Sequence, residues 1–441
     1  MKHLFLIAAF AACSSSHKEA PAPAPTPTPS SVRPERSAEG AESKGAPVDA
    51  SAVAVATPDN TAPAAPTPPA KPEGADFTAE AKLLYRVAAC GNDDPLPATI
   101  DAKVVDRHCK WVREREEKFR KQYFEGGREF FDKIVPPDAP KVVVYPFGGG
   151  DLISALVAFP DATEITTISL ELAGDPRRID TIDKHHLEDS LGALRVQIGG
   201  MLSVGSNTSE NLSASQKNDL PGQVSSFLMG LAAGGYEPVG MRFFTIQPDG
   251  TLHYLEQNEI DTIETDAKAR AKKRKGDWES PNFSEAFANV EIRYHKIGED
   301  QIRVHRHIGW NLGDKYLADH GELITHLAAK GKVTMLVKGA SYLLWRGDFS
   351  TIRDYMLANL AWMLSDSTGI PPYYAKKGHM VQETYGRYDG AFLEGTEEHN
   401  TKHSDDFRAL WRSQPYRKLP FRFGYVDMNK QAHLVVTKPA P

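Results

Sequence analysis

The sequence is poor in the features that most readily declare a function. It has only three cysteines in 441 residues, and its net charge is a modest −6. Acidic and basic residues are interspersed, so the composition calls for no nucleic-acid partner. No segment reaches the roughly 18 consecutive apolar residues of a membrane-spanning helix. The best run, VSSFLMGLAA from Val224, has the length of a buried helix. Neither the Gly-x-Ser-x-Gly nucleophile elbow nor the His-Glu-x-x-His zinc motif occurs. A Cys-x-x-Cys pair is missing too, so the sequence implies no structural zinc and no cofactor.

What is present begins at the amino terminus, where Lys2 and His3 precede the apolar run Leu4 to Phe10, followed by Ala11, Ala12 and Cys13. This is the pattern of an export signal. Phe10-Ala11-Ala12-Cys13 resembles the bacterial lipobox, which implies fatty acylation (palmitate) of Cys13 and cleavage just before it. Residues 14–75 are dominated by Ala, Pro, Ser and Thr, as in PAPAPTPTPS at 21–30. Such a stretch cannot bury a core and reads as an extended tether, about 3 Å per residue in polyproline form. The expectation is a lipid-anchored envelope protein, with Ser14 pointing to the outer membrane and the lipid as the only membrane contact. The basic run AKARAKKRKGDW from Ala267 reads as a solvated loop. Once Cys13 is set aside, Cys90 and Cys109 remain, an even pair in an oxidising compartment. Their disulfide would contribute about 3 kcal/mol.

From residue 76 the composition is that of an ordinary folded domain. TAEAKLLYRVAA and the charged segment following Ala102 repeat apolar residues at helical spacing, so residues 76–140 should be helical. Val142 to Tyr145 reads as a buried strand, Leu152 onward as a short helix, and TEITTISLE, ending at Glu171, as a second strand. That is the opening of a βαβ unit with a parallel pair. Two helices follow, then two hairpins: one turns at Pro248-Asp249-Gly250 and the other at Gly298 to Asp300. The last block predicts helix, strand, short helix, and a long helix from Phe349 to Leu364 that breaks at SDSTGIPP. The fold class expected for 141–441 is α/β: a mixed, partly parallel sheet between helices, Rossmann-like at its start and extended by antiparallel hairpins.

The glycines of YPFGGGD admit three readings. In the first, Gly148, Gly149 and Gly150 form only a tight turn, with Asp151 capping the next helix. In the second, that turn also holds a ligand at the crevice where α/β sheets usually bind one. A nucleotide or methyl-donor site would use Glu171, 21 residues past Gly150, for a ribose. Against it, Ile153 stands where the dinucleotide fingerprint needs glycine. His305 and His307 share one face of a strand and could chelate a metal, but no third ligand is evident. His399 and His403 lie in an acidic stretch, EGTEEHNTKHSDD, that reads as a hydrated loop.

Tyr145-Pro146-Phe147-Gly148-Gly149-Gly150-Asp151, Phe159-Pro160, Leu170-Glu171 with Gly174, Lys338 with Ala340-Ser341-Tyr342-Leu343, and Asp366-Ser367-Thr368-Gly369-Ile370-Pro371 follow in that order. Together they resemble an uncharacterised family of exported bacterial proteins that carries YPFSGPD and DDSGIP turns. The resemblance spans roughly residues 140 to 426 and implies export and a shared fold, but no activity. Gly148, Gly150 and Ser367 replace the family's serine, proline and second aspartate, so a polar site using those groups would be incomplete here. If Asp151, Glu171, Lys338 and Asp366, with Thr368 beside them, meet in one crevice, they could bind a polar ligand or act as acid and base. Three functions stay open: an envelope protein binding a small polar ligand or a protein partner without catalysis, an exported hydrolase or transferase, and a structural surface-interaction protein.

Overall fold

The computed structural model describes residues 73–203, 219–271 and 284–441. The signal-like segment, Cys13, the tether up to residue 72, and the part of the basic run after Ala271 lie outside them.

Ten strands form the sheet: β1 Val142–Pro146, β2 Glu164–Ser169, β3 Tyr236–Ile246, β4 Leu252–Tyr254, β5 Val290–Lys296, β6 Arg303–Gly309, β7 Val333–Val337, β8 Leu360–Ser365, β9 Met380–Gly386 and β10 His433–Pro439. Their order across the sheet is β4-β3-β5-β6-β2-β1-β7-β8-β10-β9. The five central strands, β6-β2-β1-β7-β8, are mutually parallel, and the flanking pairs run antiparallel. After β2 the chain passes to the far edge at β3 and β4, returns through β5 to β6, and then crosses to β7 on the other side of β1. That reversal leaves a crevice beyond the carboxyl ends of β1 and β7, where open α/β sheets bind ligands.

Alternation along β1 shows how the sequence builds two layers. Val143 and Tyr145 pack into a core with the amino-terminal helices Thr78–Val87, Ala102–Phe119 and Gly126–Ile134 and with Leu152–Ala158 and Gly222–Gly234. Val144, between them, faces the opposite core, built from Leu323, Leu327, Ile352 and Met356. A period of two places successive side chains on opposite faces, and burial of both faces explains the nearly continuous apolar run. Among the described residues no helix is long and apolar enough to cross a membrane.

The expected βαβ unit forms, with Val142 to Pro146 in parallel register against Glu164 to Ile168. Both hairpins form as well, β3 with β4 and β5 with β6. Cys90 and Cys109 are disulfide-bonded, their Cα atoms 5.3 Å apart, tying the loop after the first helix to the second. Two expectations are corrected. The helix expected from Phe349 to Leu364 spans only Ser350–Asn359, and Leu360–Ser365 is β8, paired with β7 and β10. The acidic stretch around His399 is the start of a helix, Glu398–Arg412, and His403 is buried against Trp345 and Tyr374. Phe407, buried on the same helix, supplies the apolar stripe that outweighs the polar start.

Candidate functional site

Beyond β1 the chain turns sharply. Phe147 and Gly149 have φ of 62° and 51°, and the Gly148 amide donates to the carbonyls of Tyr145 and Ile168. A Cβ at Gly148 would lie 2.8 Å from the Tyr145 ring, and one at Gly150 would lie 2.7 Å from Gln223 Oε1. Gly148 therefore needs glycine, because the root of the Tyr145 ring blocks it, whereas at Gly150 the nearest atom is the movable end of Gln223. Asp151 then caps the Leu152–Ala158 helix, its Oδ1 accepting from the Ser154 amide at 3.2 Å. The Gln223 and Ser226 side chains pack beside Gly150.

Four of the proposed site residues form one connected group on this face. Lys338 Nζ lies 2.7 Å from Asp151 Oδ2 and 2.6 Å from Ser154 Oγ, while Tyr145 OH donates to Asp151 Oδ2 at 3.0 Å. Burial works against the Lys338 ammonium, but the Asp151 carboxylate more than offsets it and holds the amine protonated above its ordinary range. A lysine so held is a counter-ion and cannot serve as a general base for Ser154. Burial, and then Asp151, push the Tyr145 phenol well above its usual value, so it stays a neutral donor.

Asp366 continues the group from the end of β8. Its Oδ2 accepts from the amides of Gly339 at 2.9 Å and Tyr425 at 2.8 Å, and its Oδ1 from the Thr368 amide at 2.8 Å and hydroxyl at 2.5 Å. Thr368 Oγ1 in turn accepts from the Ala340 amide at 2.9 Å. A Cβ at Gly424 would fall 2.0 Å from Asp366 Oδ2, so glycine is required there as well. This fully buried carboxylate pins together the loops that follow β7, β8 and Phe423. Beside it Ser367 Oγ lies 2.8 Å from His433 Nε2, a contact the sequence did not suggest because 66 residues separate the two. Both are fully buried, and burial keeps the imidazole neutral.

Glu171 belongs to a different group, with the two histidines. It is buried, and its carbonyl lies 2.7 Å from His307 Nε2. Thr167 Oγ1 sits 3.0 Å from both His305 Nε2 and His307 Nδ1. The carbonyl can only accept, so His307 carries its proton on Nε2 and takes the threonine hydrogen on Nδ1. The hydroxyl oxygen then accepts from His305 Nε2, leaving a bare lone pair on His305 Nδ1. Burial depresses both rings, His307 to about 4, so the chain is neutral. The pair shares a hydroxyl and packs on Phe227. No cluster of three or more metal-ligating residues occurs among the described residues.

The other face of the sheet end is built differently. A small cleft of about 80 Å³ opens there, lined by Phe147, Leu170, Trp310, Leu312, Leu343 and Phe349 with Ser169, Asn311, Gly339, Ala340 and Ser341. It collects the carboxyl ends of β1, β2, β6 and β7. No charged residue lines it. The Ser169 hydroxyl and the Trp310 indole N–H are shielded from solvent and have no hydrogen-bond partner. Three of the chain's non-glycine residues with positive φ, Phe147, Ser341 and Tyr342, stand at its wall or directly beside it. Such backbone costs on the order of 1–3 kcal/mol each and gathers where ligands are held. Leu170, in contact with this cleft, is 51% exposed.

Sequence reading missed this cleft because its residues are apolar or small and carry no motif. The available signal was positional, since Ser169 ends β2 and Trp310 follows β6 at the crevice. A scan against protein-family models and a search of curated proteins find no match to the chain.

Proposed function

We propose that this protein is a lipid-anchored component of the bacterial envelope whose α/β domain binds a small molecule in the cleft beyond β1, β2, β6 and β7, without catalysing a reaction on it. The observation that carries this reading is the division of labour at the sheet end. Asp151, Lys338 and Asp366, the groups able to act as acid or base, are committed to one another and to backbone amides, while the cleft next to them is lined by apolar and small residues and by no charged one. The Cys90–Cys109 bridge fits an oxidising compartment outside the cytoplasm.

Two measurements on the full chain test the two halves. Grown with an alkyne analogue of palmitate, the wild-type protein should carry label that Cys13→Ser loses; an unlabelled wild type overturns the anchor. Mass spectrometry of small molecules released from protein purified out of envelopes should find a compound absent from Leu170→Arg, which sets a long charged chain across the cleft mouth. Identical extracts would overturn the binding reading.

A second reading, an exported hydrolase, is favoured by the Ser367–His433 contact, whose 2.8 Å suits a nucleophile and its base. Complete burial of both residues weighs against it. Labelling at Ser367 by a fluorophosphonate, abolished in Ser367→Ala, would replace the binding reading with this one.

A further inference from the structure

A second hollow, of about 230 Å³, lies at the edge strand β9, between its last residues, the turn that follows and the end of the helix Glu398–Arg412. Its wall is fixed in place. Gln414 Oε1 accepts from the Thr384 amide at 3.1 Å and its Nε2 donates to the Gln382 carbonyl at 2.7 Å, so one side chain occupies the free edge of β9 as a neighbouring strand would. The Gly386 amide donates to the Arg417 carbonyl at 2.8 Å. Pro415 and Tyr416, between these two anchors, are thereby held against the strand.

Most polar side chains of this wall are already used. Tyr388 OH lies 3.1 Å from Ser404 Oγ, and Asp389 Oδ2 accepts from Asn429 Nδ2 at 3.1 Å and from Gln431 Nε2. Two guanidiniums are not used. Arg387 and Arg412 line the hollow, both are exposed, and neither guanidinium makes a hydrogen bond or ion pair with a described residue. Arg408, one turn earlier on the same helix, is by contrast paired with Glu394 and Asp405. Arg412 ends its helix, where a cation suits the carbonyl end, but Arg387 has no such reason to stand without a carboxylate. It lies over the Tyr416 ring, 5.2 Å from the centroid, and that tyrosine is 63% exposed. Trp411 completes the wall with its ring, because its indole nitrogen is shielded from solvent.

Two guanidiniums against the one carboxylate of Asp389 leave the wall with a surplus of one positive charge. That surplus suits a monoanion, whereas a phosphate dianion would set a net negative charge beside Asp389. Guanidinium forks match the two oxygens of a carboxylate, and aromatic faces take a flat body. We propose that this hollow is a binding site for a small organic monoanion, a carboxylate carried on a flat ring, with Arg387 and Arg412 holding the carboxylate and Trp411 and Tyr416 the ring. It shares no residue with the cleft beyond β1, β2, β6 and β7, and it does not depend on that cleft binding anything.

The test titrates the full chain, labelled with ¹⁵N-arginine, with four probes: benzoate; benzyl alcohol, a ring without charge; acetate, a carboxylate without a ring; and inorganic phosphate. The two side-chain Nε–H resonances are assigned by their loss in Arg387→Gln and Arg412→Gln. We expect benzoate to move both resonances and to bind at least roughly tenfold more tightly than benzyl alcohol, the discrimination one charge-assisted hydrogen bond supplies. Acetate and phosphate should bind more weakly than benzoate. Each arginine variant should weaken benzoate roughly tenfold, and Leu170→Arg, in the other cleft, should leave it unchanged. Equal affinity for benzyl alcohol overturns recognition of the carboxylate, equal affinity for acetate overturns the ring, and tighter binding of phosphate overturns the monoanion. Benzoate that leaves both resonances in place, or binds both arginine variants as well as the wild type, overturns the site itself. Weakening by Leu170→Arg overturns its independence of the cleft. The order of the four probes on the wild type decides even if a variant does not fold.

Discussion

Two faces of one sheet end, only a few residues apart along the chain, solve opposite problems. On one face Asp151, Lys338, Tyr145 and Ser154 form a closed set, and Asp366 receives four hydrogen bonds from surrounding loops. On the other, apolar and small side chains line a cleft that no charged residue enters. Charge in a sequence draws the eye to the first face. The physics assigns it to architecture, because a buried charge is tolerable only when its partners are built in.

The comparison breaks most violently at Asp366. Asp366→Ala strands three backbone amides and unties three loops, and should cost about 5 kcal/mol or prevent folding, measured by denaturant titration. A loss under about 2 kcal/mol would mean that the nest is not architectural. Lys338→Met leaves the Asp151 carboxylate buried without its counter-ion and should cost about 3–5 kcal/mol. The double variant Lys338→Met, Asp151→Asn should recover part of that loss, and a simple sum of the two single effects would count against pairing.

Acid gives a second test, because buried neutral histidines lie in both layers of the fold. Burial lowers His108, His307 and His326 to about 4. Each folded-state value lies below the unfolded 6.5, so the stability is complete above pH 6.5 and drains away as the pH falls toward 4. Each ring contributes on the order of 3 kcal/mol over that window. Glu116, raised by burial to about 7, runs the opposite way and offsets part of the loss. Denaturant midpoints should therefore fall steeply between pH 6.5 and 4, and His307→Gln should flatten the slope. The smallest effect belongs to the cleft. Ser169→Ala removes a hydroxyl with no partner, so stability should change by no more than about 0.5 kcal/mol or rise. A loss above about 1.5 kcal/mol would show that this hydroxyl is structural after all.

The fold was legible wherever two independent signals agreed. Val142 to Tyr145 is β-branched and apolar and is followed by glycines; Pro248-Asp249-Gly250 is turn chemistry between alternating residues. Where only hydrophobicity spoke, the reading slid. Leu360 to Leu364 continues a helical stripe without a break, yet a strand buried on both faces has no alternation to reveal it. At the sheet end, the reading named Asp151, Glu171, Lys338, Asp366 and Thr368; Lys338 pairs with Asp151 and Thr368 with Asp366, while Glu171 lies apart with the histidines. Sequence carries no measure of pairing, so it could not tell a closed set from an open site. Trp310 stayed unnamed because a lone indole near a strand end is more often core than contact.

The disposition of β10 has a bearing on how such a protein is made. This strand lies between β8 and β9, yet it is the last of the ten in chain order. The outer edge of β8, with Leu364 and Ser365, therefore stays open through synthesis until His433 to Pro439 arrive, and β9 has no neighbour to join before then. Until those residues are made the sheet cannot close on this side, so its completion belongs to the last steps of folding.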